Sequence, residues 1–202
     1  MNNLEKKLFD KFIKTLTVKS ANTKKLFGIG FIGLVGSGKS YVAKEIGKRL
    51  GLYVDCNDKV RRFLNKEGFS GSSPVQKIVE KIGPEVGHYL YQNNISKILD
   101  ADLVKHYNIA KENVEKFGGK FFIIKLVCAE DVILTRLEKR EREIAKNPNS
   151  NLSRAGKEDY FKRKKMHEEI SLAEIFFTID TAIDVNPQID ELINKLKKEQ
   201  VI

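Results

Sequence analysis

Cysteine is scarce in this chain, long apolar runs are missing, and so are the signatures of a GTP-driven switch. Cys56 and Cys128 are too few and too far apart for a disulfide framework or a metal-ligand spacing. The longest nearly unbroken apolar run covers residues 27–35 and contains three glycines. A membrane-spanning helix needs about 20 apolar residues, so a spanning segment is excluded. The N-terminus, Met1-Asn2-Asn3-Leu4-Glu5-Lys6-Lys7, lacks the apolar stretch of a secretory signal. Together these absences predict a chain of the reducing cytoplasm. No Asp-x-x-Gly occurs, and Asn65-Lys66 runs into Glu67-Gly68 instead of completing Asn-Lys-x-Asp. A regulatory GTPase is therefore not expected.

What is present suits one enzyme-sized unit. The 202 residues can form one α/β domain with a full core, but not two ordinary domains or the modules of a mechanical ATPase. Hydrophobic residues at 41% and charged residues at 32% fit a folded globular chain. The net charge of +10 is unevenly spread: residues 1–25 contribute +5, residues 136–165 contribute +6, and the remainder sums to −1. An anionic partner is expected at those two patches.

The leader, residues 1–25, spaces Leu4, Leu8, Phe12 and Leu16 four apart with lysines opposite, the stripe of an amphipathic helix. Such a helix docks on the main domain, binds a partner or lies on a membrane surface, and docking is the simplest of the three. From residue 26 to 202, strands alternate with helices, which predicts parallel pairing through right-handed crossovers. Strands are expected at 26–32, 52–55, 95–99, 121–127 and 175–180. Helices are expected at 40–50 (closed by Gly51), 59–65, 104–116, 130–145 and 157–171, and from 187 onward. A loop at 68–74 should precede a helical stretch to Gln92 that is interrupted at Gly83-Pro84.

Gly33-Leu34-Val35-Gly36-Ser37-Gly38-Lys39-Ser40 fits G-x-x-x-x-G-K-[ST] in full, after an apolar strand and at the start of a helix. Average composition would produce the pattern by chance in about one chain of this length in a hundred. Glycines let successive backbone N–H groups converge on phosphate oxygens, and the helix N-terminus adds partial positive charge. Gly33, Val35, Gly36, Ser37, Gly38, Lys39, Ser40 and Tyr41 are the expected ATP contacts. Lys39 should reach the β- and γ-phosphates, and the Ser40 hydroxyl should ligate Mg²⁺. The fold class that follows is α/β, a three-layer P-loop NTPase fold with a mainly parallel five-stranded sheet.

Ligands of open α/β sheets sit beyond the carboxyl ends of the strands. Two acidic clusters fall there: Asp55-Cys56-Asn57-Asp58 and Asp100-Ala101-Asp102. Transfer of a phosphoryl group to a hydroxyl needs a carboxylate near the acceptor proton and Mg²⁺ on the phosphates. Asp58 and Arg61 lie one helical turn apart, able to face one acceptor, although Asp58 also suits a helix N-cap. Asp100 fits the metal, partly through water, or the acceptor side, or the local backbone bonds of a strand end. Which of Asp55, Asp58, Asp100 and Asp102 is base and which serves the metal stays open. In the basic segment 136–165, Arg136 and Arg140 share a helix face, Arg154 and Lys162-Arg163-Lys164-Lys165 follow, and the polar stretch 147–153 lies between. That pattern suits either a kinase lid that covers the leaving phosphates or a solvated helix laced with i, i+4 pairs.

With those residues in view, the chain resembles the small P-loop kinases that include polynucleotide kinase, gluconate kinase and the zeta-toxin kinases. The resemblance spans about 26–180 and rests on Ile32 to Ser40, Asp58-x-x-Arg61, Ile98-Leu99-Asp100-Ala101-Asp102, and 130–136 with Arg140. It implies Asp58 as base, Arg61 as acceptor ligand and a lid arginine at Arg136 or Arg140. The expected activity is ATP- and Mg²⁺-dependent transfer of the γ-phosphate to a hydroxyl on a nucleic-acid end, a nucleoside or a small metabolite. A nucleotide kinase of the adenylate-kinase type is the alternative among enzymes. An ATP-binding module that holds RNA through its basic patches is the alternative outside them. The leader is expected to be dispensable for the chemistry, apart from stability.

Overall fold

A computed structural model of the chain describes residues 1–18, 21, 23–147, 153, 155–168 and 174–202. Thirteen elements run in the order α1 (Asn3–Lys14), β1 (Phe27–Ile32), α2 (Lys39–Leu50), β2 (Tyr53–Asp55), α3 (Asn57–Lys66), α4 (Ser72–Gln92), β3 (Lys97–Asp102), α5 (Tyr107–Glu115), β4 (Lys120–Val127), α6 (Glu130–Lys146), α7 (Lys157–Glu168), β5 (Ile175–Asp180) and α8 (Asn186–Lys198). The five strands form one sheet in the order β2-β3-β1-β4-β5. Every pairing is parallel. The chain is therefore an α/β protein with an all-parallel sheet, built through helical crossovers.

Strand β1 shows how the layers are set. Phe27, Ile29 and Phe31 point to one face and pack with Val42 and Ile46 of α2 and with Ile189, Leu192 and Leu196 of α8. Gly28 and Gly30 point to the other face, where α4 and α5 close in. A Cβ on Gly28 would lie 2.3 Å from the Tyr91 hydroxyl, and one on Gly30 would lie 2.3 Å from Leu103. Alternating large and absent side chains thus give one thick and one thin interface on the same strand. Because β1 is central, with β3 on one side and β4 on the other, its carboxyl end opens into the crevice where such sheets bind ligands.

Beside the sheet, α1, α3 and α4 build a second apolar cluster from Leu8, Phe12, Val60, Leu64, Val79, Ile82, Val86 and Leu90. Helix α1 begins with a capping box between Asn2 and Glu5 and buries Leu8 and Phe12 there. Helix α4 departs from the sequence expectation. It starts at Ser72 and runs unbroken through Gly83-Pro84. Pro84 deletes one backbone donor, but the buried stripe Val79, Ile82, Val86 and Leu90 pins both halves to the same neighbours. Gly83 has its own reason: a Cβ there would sit 2.7 Å from the Asn57 side chain at the start of α3.

Candidate functional site

The phosphate loop joins β1 to α2 with Gly36 at φ 82° and Gly38 at φ 88°, left-handed values that favour glycine. Gly38 is the N-cap of α2 and supplies no side-chain cap, so first-turn amides are left for an anion. Lys39 folds back over the loop, its Nζ donating to the carbonyls of Gly33 at 2.6 Å and Leu34 at 2.8 Å. Burial pushes its pKa down to about 8, against the opposing charges of Asp102 and Asp100. Ser37 is buried, and among the described residues its hydroxyl has no hydrogen-bond partner. Its carbonyl accepts from Thr181 Oγ1 at 2.9 Å, which ties the loop to the end of β5.

A slip in register shapes the acidic side. Gly30 pairs with Leu99 but Phe31 pairs with Asp102, so β3 bulges at Asp100 and Ala101 beside the loop. Asp100 Oδ1 accepts from Ser40 Oγ at 3.1 Å, and burial raises its pKa against that bond and the charge of Lys39. Two oxygens at the foot of the phosphate site, one of them a carboxylate disfavoured by burial, fit Mg²⁺. That ion takes one or two protein oxygens and completes its shell with phosphates and water. Among the described residues, no group of three or more His, Cys, Asp or Glu could hold a metal unaided.

The other three acids have different partners. Asp55 meets the buried Lys97 Nζ at 2.5 Å. Asp102 Oδ2 lies 2.8 Å from His167 Nε2 and 4.0 Å from Arg163 Nη1, both on α7. Burial works to raise the Asp102 pKa, but the His167 bond and charge and the charge of Lys39 bring it below the usual carboxylate range. Asp58 lies in the first turn of α3, whose N-cap is Cys56, so the N-cap alternative for Asp58 does not hold. Its carboxylate accepts from Arg61 Nη1 at 2.6 Å, while Arg61 Nη2 donates to Gln76 at 2.6 Å. Arg61 is thereby turned to α4, and its neighbour Arg62 faces the cavity in front of Asp58.

Several cavities border the loop. One of about 350 Å³ is lined by Val35, Gly36, Gly38, Lys39, Ser40 and Tyr41, with Arg140 and Arg163 across from them. A second, of about 680 Å³, runs from Ser40 and Asp100 past Cys56, Asp58 and Tyr53 to Thr17 of the leader. The two share Ser40, Arg140 and Ser153. A third, of about 420 Å³, lies beside Tyr41 between Arg136 and the segment Thr181 to Val185. Arg136 is anchored at its rim, donating from Nη1 to Thr181 Oγ1 at 3.1 Å and from Nη2 to the Thr181 carbonyl at 2.5 Å. Arg140 donates to the carbonyl of Ala155 and keeps the shared corner. Of the expected ATP contacts, Gly33 and Ser37 do not line the loop-side cavity; they face a separate space of about 510 Å³ behind it.

Helices α6 and α7 close over the loop through Val35, Ile133, Leu137 and Tyr160. Lys157 pairs with Glu138 at 2.6 Å, and Glu130 receives both the Tyr160 hydroxyl, at 2.9 Å, and Lys164. Lys157 and Lys164 of this basic segment thus tie α7 to α6. Arg154 and residues 148–152 of the expected soft stretch lie outside the described residues. Sequence reasoning placed Arg163 only within the basic run 162–165 and did not single out His167, Lys97 or Thr181. Only Thr181 had a usable signal, its place at a strand's carboxyl end.

No protein-family model matches the chain. Solved structures do. A chain of the PezAT chromosomal toxin–antitoxin system of Streptococcus pneumoniae matches over 98% of this chain and 97% of its own, with TM-score 0.63 and 14% identity. A gluconokinase of Sinorhizobium meliloti matches over 86% and 93%, with TM-score 0.56 and 16% identity. The APS kinase of Mycobacterium tuberculosis, solved with AMPPNP and APS, matches over 86% and 98%, with TM-score 0.53 and 19% identity. At these identities the shared property is the fold, that of P-loop kinases.

Proposed function

We propose that the chain is an ATP- and Mg²⁺-dependent phosphotransferase acting on a hydroxyl acceptor. The observation that carries the reading is the meeting of a phosphate-loop cavity and a second, acid-lined cavity at Ser40 and Arg140. Donor and acceptor oxygens must lie close and in line, and two cavities sharing one corner provide for that.

Each residue then has a task. Lys39 and the loop amides hold the β- and γ-phosphates. Ser40 and Asp100 hold Mg²⁺, which when bound neutralises phosphate charge. Asp58 lines the acceptor cavity and takes the acceptor proton, while the bond from the γ-phosphorus to the β–γ bridging oxygen breaks and a bond to the acceptor oxygen forms. Asp55 and Asp102 suit that task less, since neither lines that cavity. Arg140 faces both cavities, where the transferring charge passes. Arg136 and the Thr181–Val185 segment receive the nucleoside end of ATP. The α6–α7 layer excludes water from the phosphoryl group.

The test is a screen for ATP consumption over nucleosides, nucleotides, sugars, oligonucleotide 5′ ends and small hydroxyl metabolites, with Lys39→Ala alongside. Acceptor-dependent ADP formation that Lys39→Ala abolishes supports the reading. ATP binding without transfer to any acceptor refutes it.

A further inference from the structure

Helix α4 carries two stripes. The apolar one, Val79, Ile82, Val86 and Leu90, holds the helix to α1 and α3. Beside it run Gln76, Glu80, Gly83, Gly87 and Tyr91, which at 3.6 residues per turn share an arc of about 80°. Glu80 accepts from Gln76 Nε2 at 2.7 Å, and Gln76 in turn accepts from Arg61, which holds Asp58. Gly83 admits Asn57, whose Oδ1 lies 2.7 Å from where a Cβ would stand. Gly87 admits Lys97, whose Nζ lies 2.6 Å from the corresponding point. The centre of the Tyr91 ring is 4.8 Å from the same Nζ. From that notch Lys97, with 2% of its side chain exposed, reaches Asp55 at 2.5 Å. Asp55, Asn57 and Asp58, all of one short turn, are thus each tied to the second stripe of α4.

Local structure holds the turn weakly. Strand β2 is three residues long and lies at the edge of the sheet, and α3 begins on Cys56 without a side-chain cap. Resting on the reading of Asp58 as the acceptor's base, we propose that the second stripe of α4, with Lys97 as its pin, positions Asp58 for proton removal. Lys97, Gly83 and Gly87 are then positioning residues, since none of them lines the second cavity, and neither do Asp55 and Asn57. Stability gives little reason for these choices. Glycines weaken a helix relative to alanine, and a buried ion pair adds little over well-packed apolar residues. The chain nevertheless places all of these features on the side of α4 that faces the base. Precision does give a reason, because a displacement of about 1 Å can cost about a hundredfold in rate.

Two readouts on the full chain test this. The first needs no turnover. Cys56 sits inside the turn, half-buried, and burial raises the pKa of its thiol. Its alkylation by iodoacetamide, followed by mass spectrometry of its peptide, therefore reports whether the turn stays seated. Lys97→Met with Asp55→Leu removes the pin without stranding a charge, and Gly83→Ala pushes Asn57 out of its notch. Each should label about tenfold faster than the wild type, with Tm within a few degrees of it. Unchanged labelling in both overturns the clamp whatever the enzyme does. The second readout is steady-state kinetics on an acceptor that the wild type phosphorylates. Both variants should lower kcat about tenfold with the ATP KM within twofold. Either one combined with Asp58→Asn should be no slower than Asp58→Asn alone, because the stripe acts only through that carboxylate. A further loss in the combined variants overturns the proposal. Faster labelling with unchanged kcat overturns the positioning role and leaves the phosphotransferase standing. Absence of transfer from the wild type to any acceptor removes the phosphotransferase and its base, and labelling alone then upholds or overturns the clamp.

Discussion

On the proposed reading, Lys39 should make nucleotide affinity a function of pH. In the ligand-free protein its ammonium is packed against the Gly33 and Leu34 carbonyls, and burial brings its pKa down to about 8. Phosphate oxygens would stabilise the charged form, so binding raises that pKa and draws in a proton wherever the free lysine is neutral. The affinity is therefore full below about pH 8 and lost as pH rises through it. With a free pKa near 8, about one-tenth of the lysine is neutral at pH 7 and about nine-tenths at pH 9. The dissociation constant for Mg²⁺–ATP should thus rise roughly eightfold between pH 7.5 and 9, or about 1.2 kcal/mol. Phosphate groups have finished ionising by that range and contribute little to the slope. Calorimetry in buffers of different ionisation enthalpy should show proton uptake climbing from about 0.1 to about 0.9 between pH 7 and 9. Lys39→Arg keeps its charge throughout and should bind more weakly but with a flat profile. Constant affinity and no proton uptake across pH 8 in the wild type would refute this account of the loop.

Asp58→Asn should lower kcat by about 10² to 10⁴ while leaving Mg²⁺–ATP affinity within twofold; steady-state kinetics with equal turnover in the variant would reassign the base. Lys97→Ala strands Asp55 in a buried setting and should cost about 3 to 5 kcal/mol in urea unfolding. The double change Lys97→Met with Asp55→Leu should cost much less, and an equal loss would mean that the ion pair is not the cause. Phe12→Ala opens the cluster between α1, α3 and α4 and should cost about 3 to 5 kcal/mol. Because Thr17 lines the second cavity, proposed above for the acceptor, the same variant should raise the acceptor KM more than the ATP KM, and an unchanged ratio would restore the leader to a purely stabilising part.

The parts of the fold written in local chemistry were legible. The phosphate loop needs φ > 0 at Gly36 and Gly38 and a helix directly behind, and that demand shows in consecutive residues. Gly51 ends α2 at φ 68°, as its place after Leu50 implied. The partners of Asp55, Asp100 and Asp102 were not legible, because they come from residues far apart in sequence. Lys97 reads as one more charged residue at a strand start, yet it is 1% exposed and occupies Asp55. His167 lies far along the chain from Asp102 and reaches it only because α7 folds back over the loop. Gly83-Pro84 misled for the opposite reason. The local rule was sound, and tertiary burial of α4 on both sides of the pair outweighed it.

Charge along the sequence and charge in space also part company here. Counting residues put the basicity in 1–25 and 136–165 and left the rest of the chain slightly negative. In the structure Lys11 of the first segment is engaged by Glu67 on α3, and Lys24 donates to the carbonyl of Ile202. In the second segment, Lys157 and Lys164 are spent on Glu138 and Glu130. The cations that converge on the second cavity, Lys44, Lys48 and Arg62, come instead from the stretch whose charges nearly cancel. Their acidic counterparts lie on other faces or already hold a partner. A field that attracts an anion needs cations without acids nearby in space, whatever the local balance of the chain. Among the described cations of the basic segments, Arg140 joins them, and it stands at the corner where both cavities meet.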